Sequence, residues 1–193
     1  MSEARIDRLL AAAIHQAIAD LLPDRLDFYE SYLRPRGWRE DAVNLAPVSA
    51  VLSFLRHEED GIYDAVMIRA AAYAADWWFA AQSWPLRRAG RITPQWYRVR
   101  QFARLSHQHF EQSYRGTKAK VRIDGMQLDI EVRGSIFCST REPTDHPHCR
   151  YYLAFAEALF ERDGVASRGQ LTSCRALGAD ACGLRLRLGP EAA

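Results

Sequence analysis

Hydrophobic positions keep a helical period until about Tyr114, and from Lys118 onward they alternate every second residue. From Arg5 to Leu22, the positions Leu9, Ala12, Ala13, Gln16, Ala17 and Ile18 fall on overlapping helical rows, and Pro23 ends the run. A short helix from Asp24 to Leu33 precedes the Pro35-Arg36-Gly37 turn, and a third helix begins near Pro47 with Val48, Val51, Leu52 and Leu55 on one face. The fourth, about Asp64 to Ala81, is apolar nearly all round, which predicts the buried central helix. Pro85 and the arginines at 87, 88 and 91 close it, and a fifth starts with Thr93 as cap and Pro94 in first position. That helix carries Trp96, Val99, Ala103, Ser106 and Phe110 in step.

In the last third, Val121 and Ile123 alternate with charges, Asp124-Gly125 makes a tight turn, and Met126, Leu128, Ile130 and Val132 then face one way. A loop from Ser135 to His146 leads to a helix with Tyr152, Phe155, Ala156, Leu159 and Phe160 on one face, closed by Asp163-Gly164. A final hairpin turns at about Leu177 to Asp180, and its return strand sets Leu184, Leu186 and Leu188 against Arg185 and Arg187. The order predicts an α+β fold: N-terminal helices on one face of a four-stranded antiparallel sheet, then β-β-α-β-β. We expect one domain over residues 1–193, with a helical part at 1–115 and an α+β part at 118–189.

Composition narrows the function classes. The chain has 26 basic and 24 acidic residues, a net +2, so it lacks the basic excess of a dedicated nucleic-acid binder. At 48% hydrophobic it is not a disordered chain. No run approaches the ~18 apolar residues of a membrane span, and the first residues lack a signal-peptide pattern, so a cytoplasmic protein is expected. Lys118 and Lys120 are the only lysines, the other basic residues being arginine, which reads as genome composition. No phosphate-binding loop, dinucleotide fingerprint or nucleophile elbow is found. His107 and His109 diverge by ~200° on a helix and read as surface residues. Glu58, Glu59 and Asp60 read as a solvated acidic loop.

The four cysteines, Cys138, Cys149, Cys174 and Cys182, all lie in the last third. Cys138 is expected at a strand end, with His146, His148 and Cys149 around a helix start. Cys174 and Cys182 are eight residues apart across a hairpin turn. Thiolate and imidazole donors suit tetrahedral zinc. Free buried thiols, a disulfide and a catalytic Cys149 paired with His146 or His148 are the alternatives.

The segments Ser135-Ile136-Phe137-Cys138, His148-Cys149-Arg150-Tyr151-Tyr152 and Ser173-Cys174-Arg175-Ala176-Leu177-Gly178-Ala179-Asp180-Ala181-Cys182 resemble the 4-vinyl reductase domain family. The resemblance implies a fold similar to vesicle-tethering TRAPP subunits, often dimeric, with a buried pocket for a small hydrophobic molecule. The family includes a bacteriochlorophyll-pathway protein and the sensor domains of bacterial phenol and toluene regulators. In those sensors a zinc is held by three cysteines and a glutamate. By position the cysteines correspond to Cys149, Cys174 and Cys182, while the glutamate's place is taken by Leu171, which cannot ligate. The site is therefore lost, or completed by Cys138, His146 or His148.

The leading expectation is a small-molecule-binding protein, a homodimer, with the pocket lined by Tyr73, Trp77, Trp78, Trp96, Phe102 and Tyr152. A tetrapyrrole-pathway enzyme or accessory protein, and a Cys149-dependent hydrolase, are the catalytic alternatives. A dimeric scaffold is the third, with the alanine-rich helix at Ala70 to Ala75 as its dimer face.

Overall fold

Asp7 decides where the first helix begins. In the computed structural model, which describes residues 5–35, 38, 42–82, 93–139 and 144–189, the Asp7 carboxylate accepts the Leu9 amide (3.2 Å) and caps α1 (Arg8–Leu21). The residues before the cap are not helical, contrary to the periodicity. They form β1 (Arg5–Asp7), paired antiparallel with β2 (Ala42–Asn44). Between the two strands lies α2 (Leu26–Leu33), and α3 (Leu45–Leu55) and α4 (Ile62–Ala81) follow. Next come α5 (Gln95–Ser113) and the hairpin of β3 (Lys118–Asp124) and β4 (Gln127–Arg133). The chain finishes with α6 (Arg150–Arg162), β5 (Ser167–Ser173) and β6 (Cys182–Leu188). The expected arginine turn at 87–91 lies outside the described residues.

The last four strands form an antiparallel sheet in the order β3-β4-β6-β5, as the alternation predicts. Leu128, Ile130 and Val132 of β4 and Leu184, Leu186 and Leu188 of β6 are buried on its inner face. Each contributes roughly 1.5–3 kcal/mol through removal from water. The charged residues between them keep the outer face wet. Met126 departs from the expected pattern: it sits in the turn before β4 and is partly exposed. Lys118 and Lys120 lie on β3, an edge strand, where lysine discourages pairing with another chain.

The central helix is α6, not α4. Tyr151, Tyr152, Leu153, Phe155, Ala156, Leu159 and Phe160 are all fully buried, because α6 packs against α4, α5 and the strands β5 and β6. Helix α4 buries Val66, Met67, Ala70, Ala71, Ala74 and Ala75 against α1 and α6, but leaves Ile68 and Trp77 exposed. Those alanines are therefore spent on close helix packing within the chain and are not available as a dimer face. The acidic loop is corrected too: the Glu58 side chain is only 8% exposed and accepts from Arg25 and from the Tyr29 hydroxyl.

Gly134 shows how tightly the chain turns after β4. Its φ is +69°, and a Cβ there would lie 2.0 Å from the Gly116 carbonyl oxygen. Gly134→Ala is expected to cost more than about 2 kcal/mol, from left-handed backbone strain plus that backbone clash. Urea unfolding of the variant measures this, and a change within about 0.5 kcal/mol would contradict it.

Candidate metal centre

The segment after β4 does not end on Cys138 as a strand. It tightens into a 3-10 turn, Ile136–Cys138, which aims the Cys138 sulfur inward. Cys149 occupies the N-cap position of α6, Cys174 follows β5, and Cys182 opens β6 opposite Val132. Three separate parts of the fold thus deliver four thiols to one place. All four are buried, and their sulfurs lie within 4.8 Å of one another. Cys138 Sγ is 3.3 Å from Cys182 Sγ and 3.5 Å from Cys174 Sγ.

Neighbouring backbone contacts hold the cluster in shape. Arg56, the C-cap of α3, donates to the Phe137 carbonyl (2.9 Å), and the Tyr63 hydroxyl at the start of α4 donates to the His148 carbonyl (3.0 Å). Each contact fixes the residue just before a cysteine. On the hairpin, Ser173 Oγ donates to the Ala181 carbonyl (3.0 Å), tying together the neighbours of Cys174 and Cys182. These are the supporting residues that sequence reasoning missed, since 81 and 85 positions separate the partners of the first two bonds.

The donor set fits a single tetrahedral ion. Zinc–sulfur bonds of about 2.3 Å require sulfur–sulfur edges of about 3.8 Å, close to the spacing of this cluster. An all-sulfur set selects a thiophilic ion over magnesium or calcium. Within the cluster, hydrogen bonds from Cys138, Cys149 and Cys182 hold the Cys174 thiol well below the ordinary range. Hydrogen bonding with Cys138 and its other neighbours, with burial, pushes the Cys149 thiol up. The arrangement favours one thiolate readily, and a central dication is what brings the others to ionise.

The residues considered as a fourth ligand are not equally placed. Cys138 lies with the other three cysteines. His146 is 82% exposed, and the His148 Nε2 contacts Thr144 Oγ1 (3.3 Å), so neither imidazole belongs to the cluster. Leu171 lies on β5 and packs against the core. Among the described residues the groups gathered around the Cys149 thiol are the other three cysteines.

The six aromatic residues expected in a pocket are dispersed. Phe102 and Tyr152 are buried, with Phe102 against Phe79 and Phe160 and Tyr152 against Phe110 and Phe137. Tyr73 stacks on Trp77, and Trp96 is 59% exposed beside Tyr97. Trp78 meets a residue that was misplaced by the sequence reading, His109. Far from being at the surface, His109 is fully buried, stacked on Phe155 at 3.9 Å and 5.2 Å from the Trp78 ring. The signal was present: Ser106 and Phe110 lie on the apolar face of α5, and His109 is one helical turn beyond Ser106.

The His109 Nε2 is hydrogen-bonded to the Tyr151 hydroxyl (2.9 Å), while its Nδ1 has no partner among the described residues. The Trp78 Nε1 and the Ser106 Oγ are likewise buried without partners among the described residues. Burial pushes the His109 pKa down from 6.5 to about 3, so the ring is neutral in the native state. Between those values the unfolded chain binds a proton that the native one refuses, so stability falls as pH drops below about 6.5. The loss is about 1.4 kcal/mol per pH unit, or about 2 kcal/mol by pH 5. Urea unfolding at pH 7 and pH 5 checks this: His109→Phe should remove that share of the slope, and an unchanged slope would contradict it.

No protein-family profile matches the chain, and no curated protein does. Solved structures do. The phenol-responsive sensory domain of the transcription activator PoxR, solved with phenol, superposes with a TM-score of 0.55 at 12% identity. That match covers 76% of this chain and 75% of the domain. The trafficking protein particle complex subunit 3 from Naegleria fowleri, covalently bound to palmitic acid, gives 0.50 at 16% identity. It covers 73% of this chain and 89% of the subunit. The chain shares their fold. This agrees with the fold that the cysteine motifs imply. Among the described residues no helix is long and apolar enough to cross a membrane.

Proposed function

We propose that this chain is a binding module of the 4-vinyl reductase domain type for a small, mostly apolar molecule with one hydrogen-bonding group. The four cysteines hold a structural zinc ion in it. The reading rests on one observation above others. In the aromatic interior between α4, α5 and α6, the Trp78 Nε1, Ser106 Oγ and His109 Nδ1 are buried without partners among the described residues. Unpaired buried polar atoms are rare and costly, at about 1–3 kcal/mol each, unless water or a ligand satisfies them. Three of them lie on α4 and α5 in an aromatic surround that includes Phe155 and Tyr151, where a ligand hydroxyl would find partners. The structures that share the fold were solved with phenol and with palmitic acid, which supports a hydrophobic ligand.

The zinc, when bound, ties the 3-10 turn, the start of α6 and the β5–β6 hairpin together, and its four protein ligands leave no open coordination position. It is a fastener and not a catalyst. The chain's own residues do the binding. Neutral His109 presents Nδ1 to the ligand while Tyr151 holds the ring's other nitrogen, and Trp78 offers an indole N–H.

Calorimetry with phenol as the probe tests the binding reading. Phenol should bind saturably and toluene at least about tenfold more weakly, because toluene leaves the polar atoms unpaired. His109→Phe should weaken phenol by a similar factor. Equal binding of phenol and toluene, or no binding of either, would count against the assignment.

A further inference from the structure

On its outer side α5 bounds a second feature, unrelated to the thiols or to His109. A cleft of about 590 Å³ runs between α5 and the free edge of β3. The helix covers the start of the strand and diverges from it towards the end. Ala119 is accordingly buried, Val121 is half-buried, and Ile123 is 39% exposed. These three residues form an apolar floor.

The walls of the cleft are cationic. Arg100 and Arg104 are one turn apart on α5, followed by His107, while Lys120 and Arg122 border the cleft at the β3 edge and alternate onto the outer face of the sheet. Among the described residues no carboxylate pairs with Arg100 or Arg104. The nearby acids are engaged elsewhere: Glu111 lies 3.7 Å from His107 and accepts the Ala119 amide (3.3 Å), and Asp129 opposite Arg122 is bonded to Arg185 (2.7 Å). At the open end, Arg100 sits over the exposed Trp96 ring at 5.4 Å.

Unpaired cations above an apolar floor complement one kind of molecule. We infer that this cleft binds an anionic amphiphile. A carboxylate or phosphate head would be held by Arg100 and Arg104, and an alkyl or aryl tail would lie on Val121 and Ile123. Guanidinium groups suit such heads through charge-assisted, paired hydrogen bonds. The volume falls within the range of ordinary small-molecule sites. The occupant is a free amphiphile and not a bilayer surface, because the apolar floor is limited to Ala119, Val121 and Ile123, room for one tail beside two cations. The claim goes beyond the proposed function and uses none of its residues.

Calorimetry on the full chain with sodium decanoate is the test. Decanoate should bind, with acetate and decanol each at least about tenfold weaker, since each lacks one half of the recognition. R100E/R104E, a change at surface positions, should weaken decanoate at least about tenfold while phenol binding is unchanged. Ile123→Asp should do the same from the tail side. Equal affinity for decanoate and decanol, or wild-type decanoate binding by R100E/R104E, would overturn the inference. So would association with phosphatidylglycerol vesicles in a chain that ignores monomeric decanoate, which would make the cleft a membrane contact. Loss of phenol binding alone would sink the His109 site and leave this one standing.

Discussion

Cys138→Ser is expected to strip the bound metal and destabilise the fold, the largest effect of any single substitution considered. In the proposed zinc site Cys138 would be the fourth donor, and its sulfur lies 3.3 Å and 3.5 Å from those of Cys182 and Cys174. Replacing a thiolate ligand with a hydroxyl should weaken zinc by more than the 10–100-fold that loss of a supporting partner costs, so more than about 100-fold. Closed thiolate sites supply about 10–16 kcal/mol of apparent folding energy in zinc-finger peptides. Here the same segments are also held by a hydrophobic core, so the loss should be on the order of 5 kcal/mol. Chelator competition and thermal unfolding measure the two effects. His148→Ala is the control: its imidazole lies outside the cluster, and zinc content should not change. Equal zinc loss in both variants would contradict the four-cysteine assignment.

Phe155→Ala is expected to cost about 3–5 kcal/mol, the range for emptying a filled aromatic site. The side chain is fully buried in α6, stacked on His109 at 3.9 Å and in edge contact with Phe110 at 5.6 Å. Ile68→Ala on α4 should change stability by no more than about 0.5 kcal/mol, because that side chain faces water. Urea unfolding of the pair decides which helix is central. Similar small losses in both would contradict the placement of α6 between the helices and the sheet.

The contrast between these two helices shows what the sequence could reveal. Both α4 and α6 are rich in apolar residues, and a hydrophobic surface all round marks a helix as buried without saying by what. Helix α6 also packs on the sheet, and that contact is set by topology. The hairpins were legible because alternation over seven residues in β3 and β4, with Asp124-Gly125 between them, is a local signal. Strand β1 was not, since three residues that pair with positions 42–44 carry no period of their own.

At the metal centre the cysteines were visible as residues and as an incomplete family pattern. Leu171 left the fourth ligand undecided among Cys138, His146 and His148. The choice depends on a 3-10 turn after β4, held by a bond from Arg56 across the fold. Likewise, the apolar step of α5 contained Ser106 and Phe110, and following it one turn would have placed His109 inside.

The most direct test of the account is X-ray absorption at the zinc edge on the full-length protein purified without chelators. The account predicts one zinc per chain with a single shell of four sulfurs at about 2.3 Å. A shell containing a nitrogen or oxygen donor, or protein with no metal and four thiols that react freely in the native state, would contradict it.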